Sequence, residues 1–86
     1  MNTANASATI KGYVELYSDS LYTWAFNKTS DKETAEDLVQ ETFLAAVQGF
    51  AKFESKREPK TWLISILRNK IADHYRKSYR YIKPVF

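Results

Sequence analysis

The 86-residue chain has no cysteine, a single histidine, two glycines and two prolines. Without cysteine there is neither a disulfide frame nor a cysteine-based zinc site. Two glycines leave almost nothing from which to build a backbone cradle for nucleotide phosphates. No apolar run approaches the ~20 residues that a membrane span needs. The opening MNTANASAT lacks the basic start and apolar middle of a secretory signal. These absences predict a soluble, cytoplasmic protein with no membrane association. Catalytic motifs are missing as well: carboxylates are present, but there is no HExxH pair and no nucleophile elbow. His74 lies between Asp73 and Tyr75 in a basic stretch, where a surface histidine is the better reading than a ligand or a general base. The expectation is a binding protein that is not an enzyme, with no cofactor and no metal.

What is present is apolar and charged in good measure, 44% hydrophobic and 27% charged. That composition, with so few breakers, suits one small helical domain rather than a disordered chain. The net charge of +3 hides an uneven layout. Residues 1–50 carry three lysines against seven acids, and residues 51–86 carry ten basic residues against three acids. The rear would attract phosphate and the front a basic protein surface, although solvated helix faces account equally well for the counts alone.

Residues 1–9 read as a flexible polar leader. From Ile10 the apolar positions Tyr13, Val14, Tyr17, Leu21, Trp24 and Ala25 recur at three- and four-residue steps, predicting a first helix to about Phe26. Asn27 to Asp31 favours a turn. Ser30-x-x-Glu33 and Thr34-x-x-Asp37 are both candidate caps for the next helix. That second helix has a broad apolar face of Ala35, Leu38, Val39, Thr42, Phe43, Ala46, Val47 and Phe50, with Gly49 as a plausible stop. Asp37, Gln40, Glu41, Leu44 and Gln48 form a ridge on its other side. Periodicity leaves open whether this is a solvated face or a docking ridge, since one exposed leucine is ordinary.

Phe50 to Glu58 has no sustained period and reads as a loop with Lys52, Lys56 and Arg57 around Phe53. The aromatic either plugs the end of the core or offers a face to a base, with phosphate attraction from its neighbours. Pro59 suits the first turn of a third helix. The almost solid apolar run Trp62, Leu63, Ile64, Ile66, Leu67 predicts burial on most of the circumference. Beyond it Arg68, Lys70, Arg76, Lys77 and Arg80 make a charged exit. Pro84 ends the helix by Ile82 or Lys83, leaving 83–86 as a tail and 10–82 as the helical domain.

Taken together, DLVQETF (Asp37 to Phe43), the aromatic loop, TWL (Thr61 to Leu63) and RNKIADHYRK (Arg68 to Lys77) resemble region 2 of a bacterial RNA polymerase sigma factor, most of all the extracytoplasmic-function group. The resemblance covers nearly everything from Tyr13 to Arg80. An AEDLVQETF helix, a short loop and a TWLxxIxRNxxxD helix are specific in that order and weak one at a time. The resemblance implies an all-α fold, a compact bundle of three helices, or four if a short helix precedes the first. It implies binding to the β′ clamp helices of the polymerase core through Asp37, Leu38, Gln40, Glu41, Leu44 and Gln48. Carboxylate–arginine pairing is directional and often bidentate, which suits acids at fixed places on such a ridge.

The same resemblance implies recognition and melting of the promoter minus-ten element on its non-template strand, in transcription initiation. Phe53, Ser55, Lys56 and Arg57 match the base-capturing loop, and Asn69 and Asp73, one helical turn apart, match the facing reader. Lys60, Arg76, Lys77 and Arg80 would join Lys56 and Arg57 in holding phosphates. Trp62 matches an aromatic associated with opening, yet its apolar neighbours favour a core role. Membership of the group also implies an anti-sigma protein as a further partner. Family members continue into a second helical domain that reads the minus-thirty-five element, and the resemblance here covers only the first. Two other readings of the residues are a generic helical protein-interaction domain and a non-specific nucleic-acid binder.

Overall fold

In the computed structural model, which describes residues 3–52 and 58–82, three helices follow one another: α1 (Thr3–Thr29), α2 (Lys32–Gly49) and, after a 3₁₀ turn at Phe50–Lys52, α3 (Pro59–Ile82). The all-α expectation holds. One core joins all three, with Ile10, Leu21 and Ala25 from α1, Ala35, Leu38, Val39, Phe43 and Ala46 from α2, and Trp62, Leu63, Leu67 and Ile71 from α3. Leu21, Leu63 and Leu67 are fully buried, each contributing about 1.5–3 kcal/mol over an exposed side chain. Thr42 is buried among them, and its hydroxyl donates to the Leu38 carbonyl at 2.8 Å. A polar group is thereby tolerated in an apolar layer.

The helix ends depart from the periodicity in instructive ways. α1 begins at Thr3, so most of the segment read as a polar leader is helical. Ala4, Ala6 and Ala8 are the strongest helix formers, and they outweigh the polar residues between them. At its other end α1 runs past Phe26 to Thr29, and Ser30 takes the left-handed conformation (φ 56°), its N–H donating to the Phe26 carbonyl at 2.7 Å. A residue closing one helix in that way cannot also cap the next. The cap of α2 is therefore Asp31, neither of the two expected, with extended backbone and a carboxylate that accepts from the Thr34 N–H at 3.0 Å and from the Thr34 hydroxyl. Those two bonds, the hydroxyl's first, hold the Asp31 carboxyl below its usual range, helped slightly by His74 and opposed by desolvation.

Gly49 is the last residue of α2, but Phe50 continues in right-handed helical backbone (φ −60°, ψ −35°), so the glycine is not a left-handed stop. Pro59 opens α3 as its fixed φ predicts. Tyr75 is exposed, and its hydroxyl donates to the Lys28 carbonyl at the end of α1. One of the carbonyls left without an intrahelical partner is satisfied from another helix. Lys28 in turn sits over the Trp24 ring, 5.1 Å from its centroid. No helix is long and apolar enough to cross a membrane among the described residues.

Candidate functional site

The ridge of α2 stands clear of the core. Asp37, Gln40, Glu41, Leu44 and Gln48 are exposed, while Ala35, Leu38, Val39, Thr42, Phe43 and Ala46 are buried behind them. Leu44 keeps 64% of its surface in water beside a buried Phe43. Among the described residues the one ion pair is between Asp73 and Arg76, so neither Asp37 nor Glu41 pairs with a cation there. Unpaired carboxylates around an exposed leucine combine directional acceptors with an apolar centre, which suits a partner rich in arginine. Leu38 has to be removed from this surface. It is 4% exposed and belongs to the core, because three residues before Glu41 and six before Leu44 the helix turns it inward.

On α3 the candidate reading edge is divided. Asn69 and Asp73 are both exposed, one turn apart, and Arg76 donates through Nη1 to Asp73 Oδ1 at 2.9 Å. The candidate reader Asp73 and the candidate phosphate-binding Arg76 are thus in contact with each other. Lys77 is exposed beside them, and Arg80 falls in the last turns of the helix. Lys60 is also exposed, but nine residues from Asn69 place it about 180° around the helix. It does not share their edge. Exposed Arg68, which the residue-by-residue match leaves out, lies between the two directions; its signal was only its place beside Asn69 in the RN pair.

Trp62 belongs to the core. It is 8% exposed, and its ring stands edge-on to Phe50, centroids 6.3 Å apart at 61°. An aromatic buried in this way pins the first turn of α3 against the end of α2 and cannot present its face to a base. Four members of the proposed base-capturing site, Phe53, Ser55, Lys56 and Arg57, lie outside the described residues. No cluster of three or more His, Asp or Glu side chains that would hold a metal occurs among the described residues.

Residues 13–81 match the Sigma-70 region 2 family. Over 63 residues the chain is 41% identical to the ECF RNA polymerase sigma factor BldN of Streptomyces coelicolor, covering 72% of this chain and 24% of that protein. A probable RNA polymerase sigma factor of Haemophilus influenzae is 40% identical over 62 residues, 72% of this chain and 32% of that one. The ECF RNA polymerase sigma factor SigX of Bacillus subtilis is 36% identical over 63 residues, 73% of this chain and 32% of its own length. The chain therefore spans at most about a third of the length of these three relatives. No solved structure matches it at a significant level.

Proposed function

The chain belongs to the Sigma-70 region 2 family, as an ECF-type member, and on that premise we propose that it binds core RNA polymerase on one side and single-stranded minus-ten DNA on the other. The role is that of a non-enzymatic adaptor in transcription initiation, acting in the cytoplasm where the polymerase is. The ridge of α2 docks on the β′ clamp helices. There Asp37, Gln40 and Glu41 accept hydrogen bonds from arginines and amides, and Gln48 extends the polar contact. The observation that carries this reading is Leu44, 64% exposed in the centre of acids that form no ion pair among the described residues. Burial of that side chain under a partner would contribute about 1.5–3 kcal/mol, and the flanking acids would fix the register.

On the other side, Asn69 and Asp73 offer an amide and a carboxylate to the edge of an unstacked base, and Arg76, Lys77 and Arg80 hold its backbone. Lys60 would hold phosphate from a different direction. Extruding a base costs a few kcal/mol, which phosphate contacts and a pocket must offset. Phe53, Ser55, Lys56 and Arg57 complete that pocket by family resemblance. Trp62 acts through packing, holding α3 in place. Pull-down of the β′ clamp segment tests the polymerase side: Leu44→Asp should abolish capture with helix content unchanged, and undiminished capture would sink the assignment. An anti-sigma protein covering either face is a further proposed partner.

A further inference from the structure

The candidate reading pair on α3 straddles the end of the core. Ile71 is the last buried side chain of α3 among the described residues, and Asn69 precedes it while Asp73 follows. Ala72, Asp73, Arg76 and Lys77 are all exposed, and Arg76 stands about 7.5 Å along the axis beyond Ile71. A helix end without buried side chains frays readily, because little besides its own ladder opposes the motion. Phosphate attraction tolerates such play, whereas hydrogen bonding to a base edge needs its groups held to within about 0.5 Å. Something other than the core has to keep Asp73 in line with Asn69.

The corner between α1 and α2 supplies a tie. Near it the Ser30 N–H donates to the Phe26 carbonyl at 2.7 Å, and the Thr29 hydroxyl donates to the Ala25 carbonyl at 2.9 Å. The intrahelical donor for the Lys28 carbonyl would be Lys32, which already begins α2. That carbonyl accepts instead from the Tyr75 hydroxyl, 47 residues away in sequence. The groups around this bond are themselves held. The Lys28 side chain folds back over the Trp24 ring, 5.1 Å from its centroid. Half-buried His74 sets its ring edge-on to Tyr75, centroids 5.5 Å apart at 64°. His74 also stands near enough to the α2 cap to lower the Asp31 carboxyl, a smaller effect than that of Thr34. Two consecutive residues of α3 thus address the two helix ends that meet at Ser30. Asp73 and Tyr75 are about 200° apart around the helix, so the tie is made on the side away from Asp73.

We propose that Tyr75 is a positioning residue for base reading: its hydroxyl, anchored on the Lys28 carbonyl, fixes the turns of α3 beyond Ile71 so that Asp73 and Asn69 meet one base together. The inference rests on the DNA reading above and deepens it, since the end of α1 then sets the precision of a site on α3.

Tyr75→Phe removes the hydroxyl and keeps the ring. Two measurements on the full chain read the effect: amide hydrogen exchange without DNA, and anisotropy with labelled single-stranded minus-ten oligonucleotides differing in one base, over a range of salt. Tyr17→Phe, on α1, is the control for loss of a tyrosine hydroxyl elsewhere. In Tyr75→Phe, exchange at residues 72–78 should rise about fivefold while residues 60–70 keep the wild-type rate. The ratio of affinities for preferred and altered bases should fall about threefold or more at an unchanged salt slope. A loss of stability alone would speed exchange along the whole chain and leave that ratio as it was. Wild-type exchange at residues 72–78 overturns the proposal, and so does faster exchange with the base ratio intact; both leave the DNA reading standing. A salt slope that falls together with the ratio would make Tyr75 a direct DNA contact and overturns it too, as do the same changes in Tyr17→Phe. A wild-type chain that binds every sequence equally overturns both the proposal and the reading.

Discussion

Trp62 shows how one side chain decides between two accounts of its helix. Its type and place match an aromatic associated with promoter opening, but it is buried and packs on Phe50. Trp62→Ala should therefore cost about 3–5 kcal/mol of stability, comparable to Leu67→Ala at about 2–5. Denaturant unfolding checks this; a loss under about 1 kcal/mol would return Trp62 to the DNA face. Asp31 gives the pH dependence at the same scale. Its folded carboxyl is held below the ordinary range by Thr34, so its stabilising share is present above the unfolded carboxylate range and disappears as pH falls through the lowered folded value. Asp31→Asn should remove that part of the acid transition followed by helix content, with little effect of pH at this site above neutrality. An unchanged acid limb would contradict the cap.

At the scale of the element, α3 combines anchor and instrument. Its first turns are core, through Trp62, Leu63 and Leu67, and its later turns expose Asn69, Asp73, Arg76 and Lys77. Arg76→Ala or Lys77→Ala should weaken single-stranded DNA binding about equally for all sequences and lower the salt slope by about 0.7 each. Asn69→Ala should instead change the preferred base, as anisotropy with a set of oligonucleotides would show; a uniform loss would reclassify it as a backbone contact. Much of this was legible in the chain. Pro59 announced the start of α3, and the period of α2 separated buried Phe43 from exposed Leu44. Other features were not legible, for physical reasons. The choice among Ser30, Asp31 and Thr34 depends on which residue adopts left-handed backbone, and that is settled by how α1 and α2 meet. The cleft that Ile10 and Val14 share with Phe43 and Leu44 exists only once two helices lie side by side, whereas periodicity reads one helix at a time.

The whole molecule is elongated, 50 × 22 × 21 Å, because α1 alone is 27 residues or about 40 Å long. That shape distributes the candidate surfaces across faces: acids and Leu44 on α2, exposed Asn69, Asp73, Arg76 and Lys77 on α3, and a core shared by the three helices between them. The charge layout follows the same division: α1 is balanced, with two acids against two lysines, α2 is acidic, and α3 is basic. Segregated charge would steer each proposed partner to its own face and discourage the exchange of one for the other. In the proposed function the fold would act as a rigid coupling, in which a reader of melted DNA becomes useful when the ridge brings it to the polymerase. The most direct measurement of that coupling is fluorescence anisotropy of labelled single-stranded minus-ten variants with the protein bound to core polymerase. The account predicts affinity that depends on base identity, is altered by Asn69→Ala and is lost with Leu44→Asp. Equal affinity for every sequence, or binding that survives Leu44→Asp unchanged, would contradict it.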